Sequence, residues 1–154
     1  MDAAAAAFVL APALAAGSFL NVVVARVPVR RSIMRPPSSC GACATEILWR
    51  DNIPVLSYVL LRGRCRHCDA RISPLYPGVE LVSAALIVTC FAEYGPTARA
   101  LLAAGICAVL VALSAIDIQY RIVSNRIVVP SLALGAVVAL FLGGALLEAT
   151  LTLV

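Results

Sequence analysis

Four cysteines and one aspartate are the residues whose types and spacing could do chemistry in this chain. The cysteines form two pairs, Cys40-Gly-Ala-Cys43 and Cys65-Arg-His-Cys68. A Cys-x-x-Cys turn brings two thiolates to one tetrahedral ion, and a second such turn completes a four-thiolate shell. The gap between Cys43 and Cys65 lies just beyond the spacing of about 15–20 residues usual in zinc ribbons. A closed four-cysteine site leaves no open position for water, so its metal, structural Zn2+, would serve folding rather than catalysis. Redox thiols and a coincidental spacing are the competing readings. The aspartate, Asp117, follows a long apolar run. It is either a functional group held at a membrane boundary, where burial is costly, or the mark of a helix end that points into water. One carboxylate alone makes a poor hydrolase: aspartic peptidases use one as base on water and a second as acid toward the carbonyl.

The elements that must position these groups belong to a membrane protein. Of 154 residues 62% are hydrophobic and 13% charged, with a mean hydropathy of +1.00. A soluble domain could not cover that much apolar surface with so few charges. The fold class expected is all-α and polytopic, with about four transmembrane helices and a small cytoplasmic zinc-knuckle insert after the first. The spans are placed at 3–25, 75–94, 98–116 and 127–147, the insert at 26–77 and a short loop at 117–126. Pro28, Pro36 and Pro37 break any continuation of the first helix, and Gly95-Pro96 turns the chain between the second and third spans. The N-terminus has no basic stretch, so the first apolar segment reads as a retained span rather than a cleaved signal.

Orientation follows from the cations. The chain has twelve arginines and no lysine; nine of the arginines lie between Arg26 and Arg71, and Arg121 and Arg126 lie in the later loop. Short arginine-rich segments stay cytoplasmic, which puts insert and loop on one side and both chain ends on the other. The net charge of +4 is modest and concentrated beside the spans. It therefore speaks for anionic membrane lipids and against nucleic acid.

Other residues carry weaker signals. The run Gly17-Ser18-Phe19-Leu20-Asn21 puts small and polar groups inside an apolar helix, either for close packing with a hydrogen bond from Asn21 or to place Asn21 near a functional cavity. Glu80 either reaches out to the membrane surface or faces the bundle interior. His67 reads as an exposed loop residue rather than a fifth ligand. Cys90 and Cys107, inside apolar segments, read as small buried side chains.

Several of these stretches together resemble the type IV prepilin peptidase family, the bifunctional leader peptidases and N-methyltransferases. They are Gly17 to Val23, the two cysteine pairs, Asn52-Ile53-Pro54-Val55-Leu56-Ser57-Tyr58, Leu61 to Cys68, Ile72-Ser73-Pro74-Leu75-Tyr76-Pro77-Gly78-Val79-Glu80-Leu81, and Asp117 to Pro130. The resemblance implies an aspartic endopeptidase of the bacterial inner membrane that removes the basic leader of prepilins on the cytoplasmic side. It also implies methylation of the new N-terminus with S-adenosylmethionine. By position Asp117 matches the family's first catalytic aspartate, and Cys40, Cys43, Cys65 and Cys68 match the ligands of its metal-binding insert. The arginine-rich insert would repel a basic leader, so its charge suits lipid headgroups better.

Two departures bear on activity. Where the family has Leu-Pro-Asp or Ile-Pro-Asn after its first aspartate, this chain reads Val123-Ser124-Asn125, and the Gly-x-Gly-Asp motif of the second aspartate is absent from the 154 residues. The expectation is therefore a partial chain, with the second carboxylate supplied by a C-terminal half. A second copy that brings two Asp117 side chains together across a twofold axis is another source. The competing class is a non-enzymatic, zinc-binding membrane adaptor of pilus assembly or secretion.

Overall fold

A computed structural model describes residues 3–121, 127–133 and 135 of the chain. Long apolar stretches form the helices: α1 (Ala3–Arg26), α3 (Leu75–Tyr94) and α4 (Ala98–Tyr120), with a short helix α2 (Leu56–Leu60) between the first two. The three long helices are each long and apolar enough to cross a membrane, with mean hydropathies of 2.0, 1.7 and 2.4. No strand forms among the described residues; the insert has only two isolated bridges. The protein is thus a helical, multi-pass membrane protein with a compact insert after its first span.

The bundle is held together by small side chains. The buried positions of α1 are Ala13, Gly17, Asn21 and Val24, a stripe at three- and four-residue spacing. They face Val79, Glu80, Ser83 and Ala84 of α3, while α4 contributes Ala100, Ala104, Ala112, Ala115 and Ile116. Between helices in lipid the apolar driving force is weak, so close backbone approach through small residues supplies the attraction. Phe8, Phe19, Leu81, Leu101, Leu110 and Ile118 point away from the bundle, toward lipid. α3 packs against both α1 and α4.

The core sits at the end that carries the insert. Val24, Val79, Ala112, Ala115 and Ile116 form it, with Leu20, Leu75, Tyr120 and Ile127 around the edge. The Tyr120 hydroxyl donates to the carbonyl of Ala25, 3.4 Å away. This packing carries α4 one turn past Ile116, so Asp117 lies in the last helical turn rather than at the start of a loop. The helix stops at Arg121, in the left-handed conformation (φ 54°), whose amide donates to the Asp117 carbonyl at 2.8 Å. Residues 127–133 are helical; most of the expected fourth span, 127–147, and residues 122–126 of the expected loop lie outside the described residues.

Candidate metal centre and adjoining cavity

The two cysteine turns are built alike. In each, the amide of the first cysteine donates to a carbonyl five residues on: Cys40 to Thr45 and Cys65 to Ala70, both 2.9 Å. The amide four residues on donates back, Ala44 to Cys40 at 2.9 Å and Asp69 to Cys65 at 3.1 Å. Ala44 and Asp69 both take the left-handed conformation that reverses the chain (φ 57° and 55°). A further amide points at the first sulfur of each pair, Ala42 N at 3.4 Å from Cys40 Sγ and His67 N at 3.5 Å from Cys65 Sγ. The bridges Ser39–Glu46 and Arg64–Arg71 close the bases of the turns. His67 contributes its backbone here, and the residue is exposed.

These turns bring all four Sγ atoms within 4.8 Å of one another. Cys40 Sγ and Cys68 Sγ are 3.8 Å apart. Sulfurs at the Zn–S length of about 2.3 Å sit about 3.8 Å apart along a tetrahedron edge, whereas a disulfide would need about 2.05 Å. All four thiols are free. The cluster therefore has the donor set and spacing to hold a metal ion.

Its protonation points the same way. The Thr45 hydroxyl, 3.3 Å from Cys43 Sγ, and the Thr45 amide lower the Cys43 thiol to about 6. The amides of His67 and Cys68 lower Cys65. At Cys68 the Ala70 amide favours the thiolate, but desolvation and the three neighbouring thiols push the group up to about 12. Thiolates this close cannot all ionise beside one another; a divalent cation at the centre removes that conflict.

The insert is braced within itself and clamped to the helices. Arg66 grips Asp51 with a two-nitrogen fork (Nε to Oδ2 2.9 Å, Nη2 to Oδ1 2.6 Å). The buried Ser57 hydroxyl donates to the Arg50 carbonyl and accepts from the Ile53 amide, both at 3.0 Å. That ties α2 to the 3-10 turn at Trp49–Asp51. Gly63 (φ 67°) lies under the Tyr58 ring, where an added Cβ would come 2.9 Å from the hydroxyl.

The clamp itself is the Glu80 carboxylate. Oε2 accepts from the Val55 amide at 2.7 Å, and Oε1 accepts from Asn21 Nδ2 at 3.3 Å. The same Asn21 amide also donates to the Tyr76 carbonyl at 3.0 Å. Asn21 and Glu80 are each only 8% exposed. Three separated stretches, α1, the insert and α3, thus meet at one carboxylate. The meeting is possible because Gly17 lets α1 approach α3 backbone to backbone at Glu80: a Cβ there would lie 2.7 Å from Glu80 Cα. Beside the clamp a cavity of about 960 Å³ opens between the insert and the bundle, with Asn21, Glu80, Tyr58, Tyr76, Arg26 and Arg71 among its walls.

Asn21 is therefore both hydrogen-bonded to a neighbouring helix and set against a cavity, and Glu80 faces the interior. Asp117 stands apart from them: it is exposed and is not among the residues lining that cavity. Its neighbour Ile116 is wholly buried in the core, so the backbone at this position is firmly seated although Asp117 itself is exposed. Cys90 is buried, with its sulfur 4.0 Å from that of half-buried Cys107 between α3 and α4. The roles of the Val55 amide and of the Asp51–Arg66 fork escape the sequence: the first is a backbone group, and the second joins residues 15 apart that no helix or strand spacing pairs.

Residues 12–94, which take in most of α1, the whole insert and α3, match the bacterial peptidase A24 N-terminal domain. The chain belongs to that family. Its members by name include the prepilin leader peptidase/N-methyltransferase of Myxococcus xanthus (strain DK1622), 41% identical over 90% of this chain and 41% of the relative. Proteins of the same name from Burkholderia pseudomallei (strain 1026b) and Bacillus subtilis (strain 168) are 38% and 33% identical. They cover 88% and 73% of this chain, and 52% and 46% of their own lengths. The chain spans about half the length of the curated relatives it matches. No solved structure matches it. As an A24 N-terminal domain, the chain has its two knuckles and the Asn21–Glu80–Val55 clamp inside the matched stretch, and Asp117 beyond it.

Proposed function

We propose that the chain is the N-terminal portion of a prepilin leader peptidase/N-methyltransferase of the bacterial inner membrane, with Asp117 as one of its two catalytic carboxylates. The observation that carries the reading is the extent of the likeness to the Myxococcus xanthus protein. A match over 90% of 154 residues necessarily takes in both cysteine pairs and Asp117. Zn2+ held by Cys40, Cys43, Cys65 and Cys68 stiffens the insert on the cytoplasmic side and has no part in hydrolysis. The substrates are the leader segments of prepilins or pseudopilins, and membrane lipids surround the helices.

In the reaction one carboxylate takes a proton from water as the water oxygen adds to the scissile carbonyl carbon. The other, protonated, gives its proton to the carbonyl oxygen. The tetrahedral adduct collapses as the C–N bond breaks, and the departing amine takes up a proton from the pair. The second carboxylate comes from outside these 154 residues. After Asp117 their single acidic residue is Glu148, 31 positions on, which a four-span topology sends to the opposite face. S-adenosylmethionine would supply the methyl group for the new amine.

The test is cleavage of a prepilin in membranes. The chain alone should leave it uncut. Co-expression with the C-terminal half of a relative that carries the Gly-x-Gly-Asp motif should restore cutting, and Asp117→Asn should abolish it. Cutting by the purified chain alone would sink the divided pair and favour two copies of Asp117 meeting across a dimer.

A further inference from the structure

The insert carries an apolar ridge that the metal centre and the clamp do not use. Leu56, Val59 and Leu60 of α2 are all exposed, at 50%, 63% and 71%. Their spacing of three and four residues puts them on one face of the helix, while Ser57 is buried on another. Trp49, in the 3-10 turn tied to α2, is 82% exposed. Exposed apolar side chains gathered in this way mark a surface that meets something apolar.

The clamp fixes where that surface lies. The Val55 amide at the head of α2 is bonded to Glu80, whose carboxylate shares the Asn21 amide with the Tyr76 carbonyl in the first turn of α3. α2 therefore starts level with the beginning of a membrane span rather than out in the aqueous phase. Five helical residues extend only roughly 7.5 Å, so the whole ridge stays within the depth of the headgroup layer. Arg50, Arg62 and Arg64 flank it, all exposed. An apolar ridge bordered by arginines and joined by tryptophan has the composition of a segment seated at the boundary between headgroups and acyl chains.

We infer that α2 is an interfacial anchor: Leu56, Val59 and Leu60 dip into the bilayer surface, and the flanking arginines engage the phosphates of anionic lipids. The anchor holds the metal-binding insert flat on the membrane. A protein partner covering the ridge is the rival occupant, but the depth of α2 favours lipid.

Trp49 is the only tryptophan in the chain, so a single probe can be moved onto the ridge. The variant Trp49→Phe/Leu60→Trp of the whole chain is placed in vesicles of equal parts phosphatidylcholine and phosphatidylglycerol, with or without brominated acyl chains. The expected result is blue-shifted emission, strong quenching by the brominated lipid and resistance to iodide. Water-like emission quenched by iodide would overturn the anchor. So would blue-shifted emission that neither quencher reaches, which would mean a protein cover. Should Leu60→Trp fail to fold, Val59→Trp in the same background probes the same face. Neither readout depends on peptidase activity.

Discussion

Replacing Gly17 by alanine tests how the bundle and the insert are joined. An added Cβ would lie 2.7 Å from Glu80 Cα and 3.0 Å from its carbonyl oxygen, both rigid backbone atoms. Relief requires the 2.7 Å approach to widen to at least the 3.4 Å of ordinary van der Waals separation, and α1 and α3 must part to do so. Overpacking of this kind costs about 1–3 kcal/mol. The same movement stretches the Asn21–Glu80 hydrogen bond, already 3.3 Å long, past its useful range. Losing a hydrogen bond between membrane helices adds about 0.6 kcal/mol. Gly17→Ala should therefore destabilise by about 1.5–3.5 kcal/mol. The measurement is reversible unfolding in mixed detergent micelles, followed by circular dichroism. Gly105→Ala is the control: it sits in α4 with nothing within 4 Å of an added Cβ, so the greater helix propensity of alanine should leave it neutral or slightly stabilised. Equal stability of Gly17→Ala and the parent chain would refute the close backbone approach.

Three further outcomes follow from the same geometry. Glu80→Gln leaves the Val55 and Asn21 N–H groups facing one oxygen and one NH2, a mismatch of about 1–3 kcal/mol; proteolysis of the insert in nanodiscs should quicken, and unchanged digestion would count against the clamp. Cys68→Ser should lower zinc bound per chain, and in the parent chain zinc should be released as pH falls, because protons compete with the ion for the thiolates; a chelator dye follows the release, and retention at acid pH would argue against a thiolate site. The hydrogen bond and charge of Arg66 hold the Asp51 carboxyl below its ordinary range, so the pair's stabilisation is complete above the ordinary carboxylate pKa and is lost as pH falls through the lowered value. Arg66→Ala should accordingly lower the unfolding midpoint slightly near neutrality and not in strong acid; an equal loss at every pH would show that packing, not charge, is what Arg66 supplies.

Much of this architecture is legible in the residues because its physics is local. Unbroken apolar runs announce three of the membrane helices, and the repeated Cys-x-x-Cys turn announces a four-sulfur cluster. What stays hidden is set by tertiary packing. An aspartate after an apolar run looks like a helix end, but burial of Ile116 and the reach of Tyr120 to α1 carry the helix on to Tyr120. Val55 stands at the head of α2 with φ 59°, a conformation its β-branched side chain disfavours. Only the distant Glu80 carboxylate explains why its amide is turned that way. Glu80 and Asn21 are conspicuous as polar residues in apolar surroundings, yet nothing in their spacing reveals that they share a partner in the insert.

The position of the insert between the partners of the clamp also bears on the order in which the protein folds. Asn21 and Glu80 are 59 residues apart in sequence, whereas the hydrogen bonds of each cysteine turn span only four or five residues. The turns can close early, and the helices must wait for one another. Once the four thiols share an ion, the stretch between the two turns is short-circuited, and the chain that must be gathered to bring Asn21 to Glu80 is roughly halved. Halving a loop lowers its closure cost by about 0.6 kcal/mol. A metal that touches neither helix would in this way speed the pairing of α1 with α3.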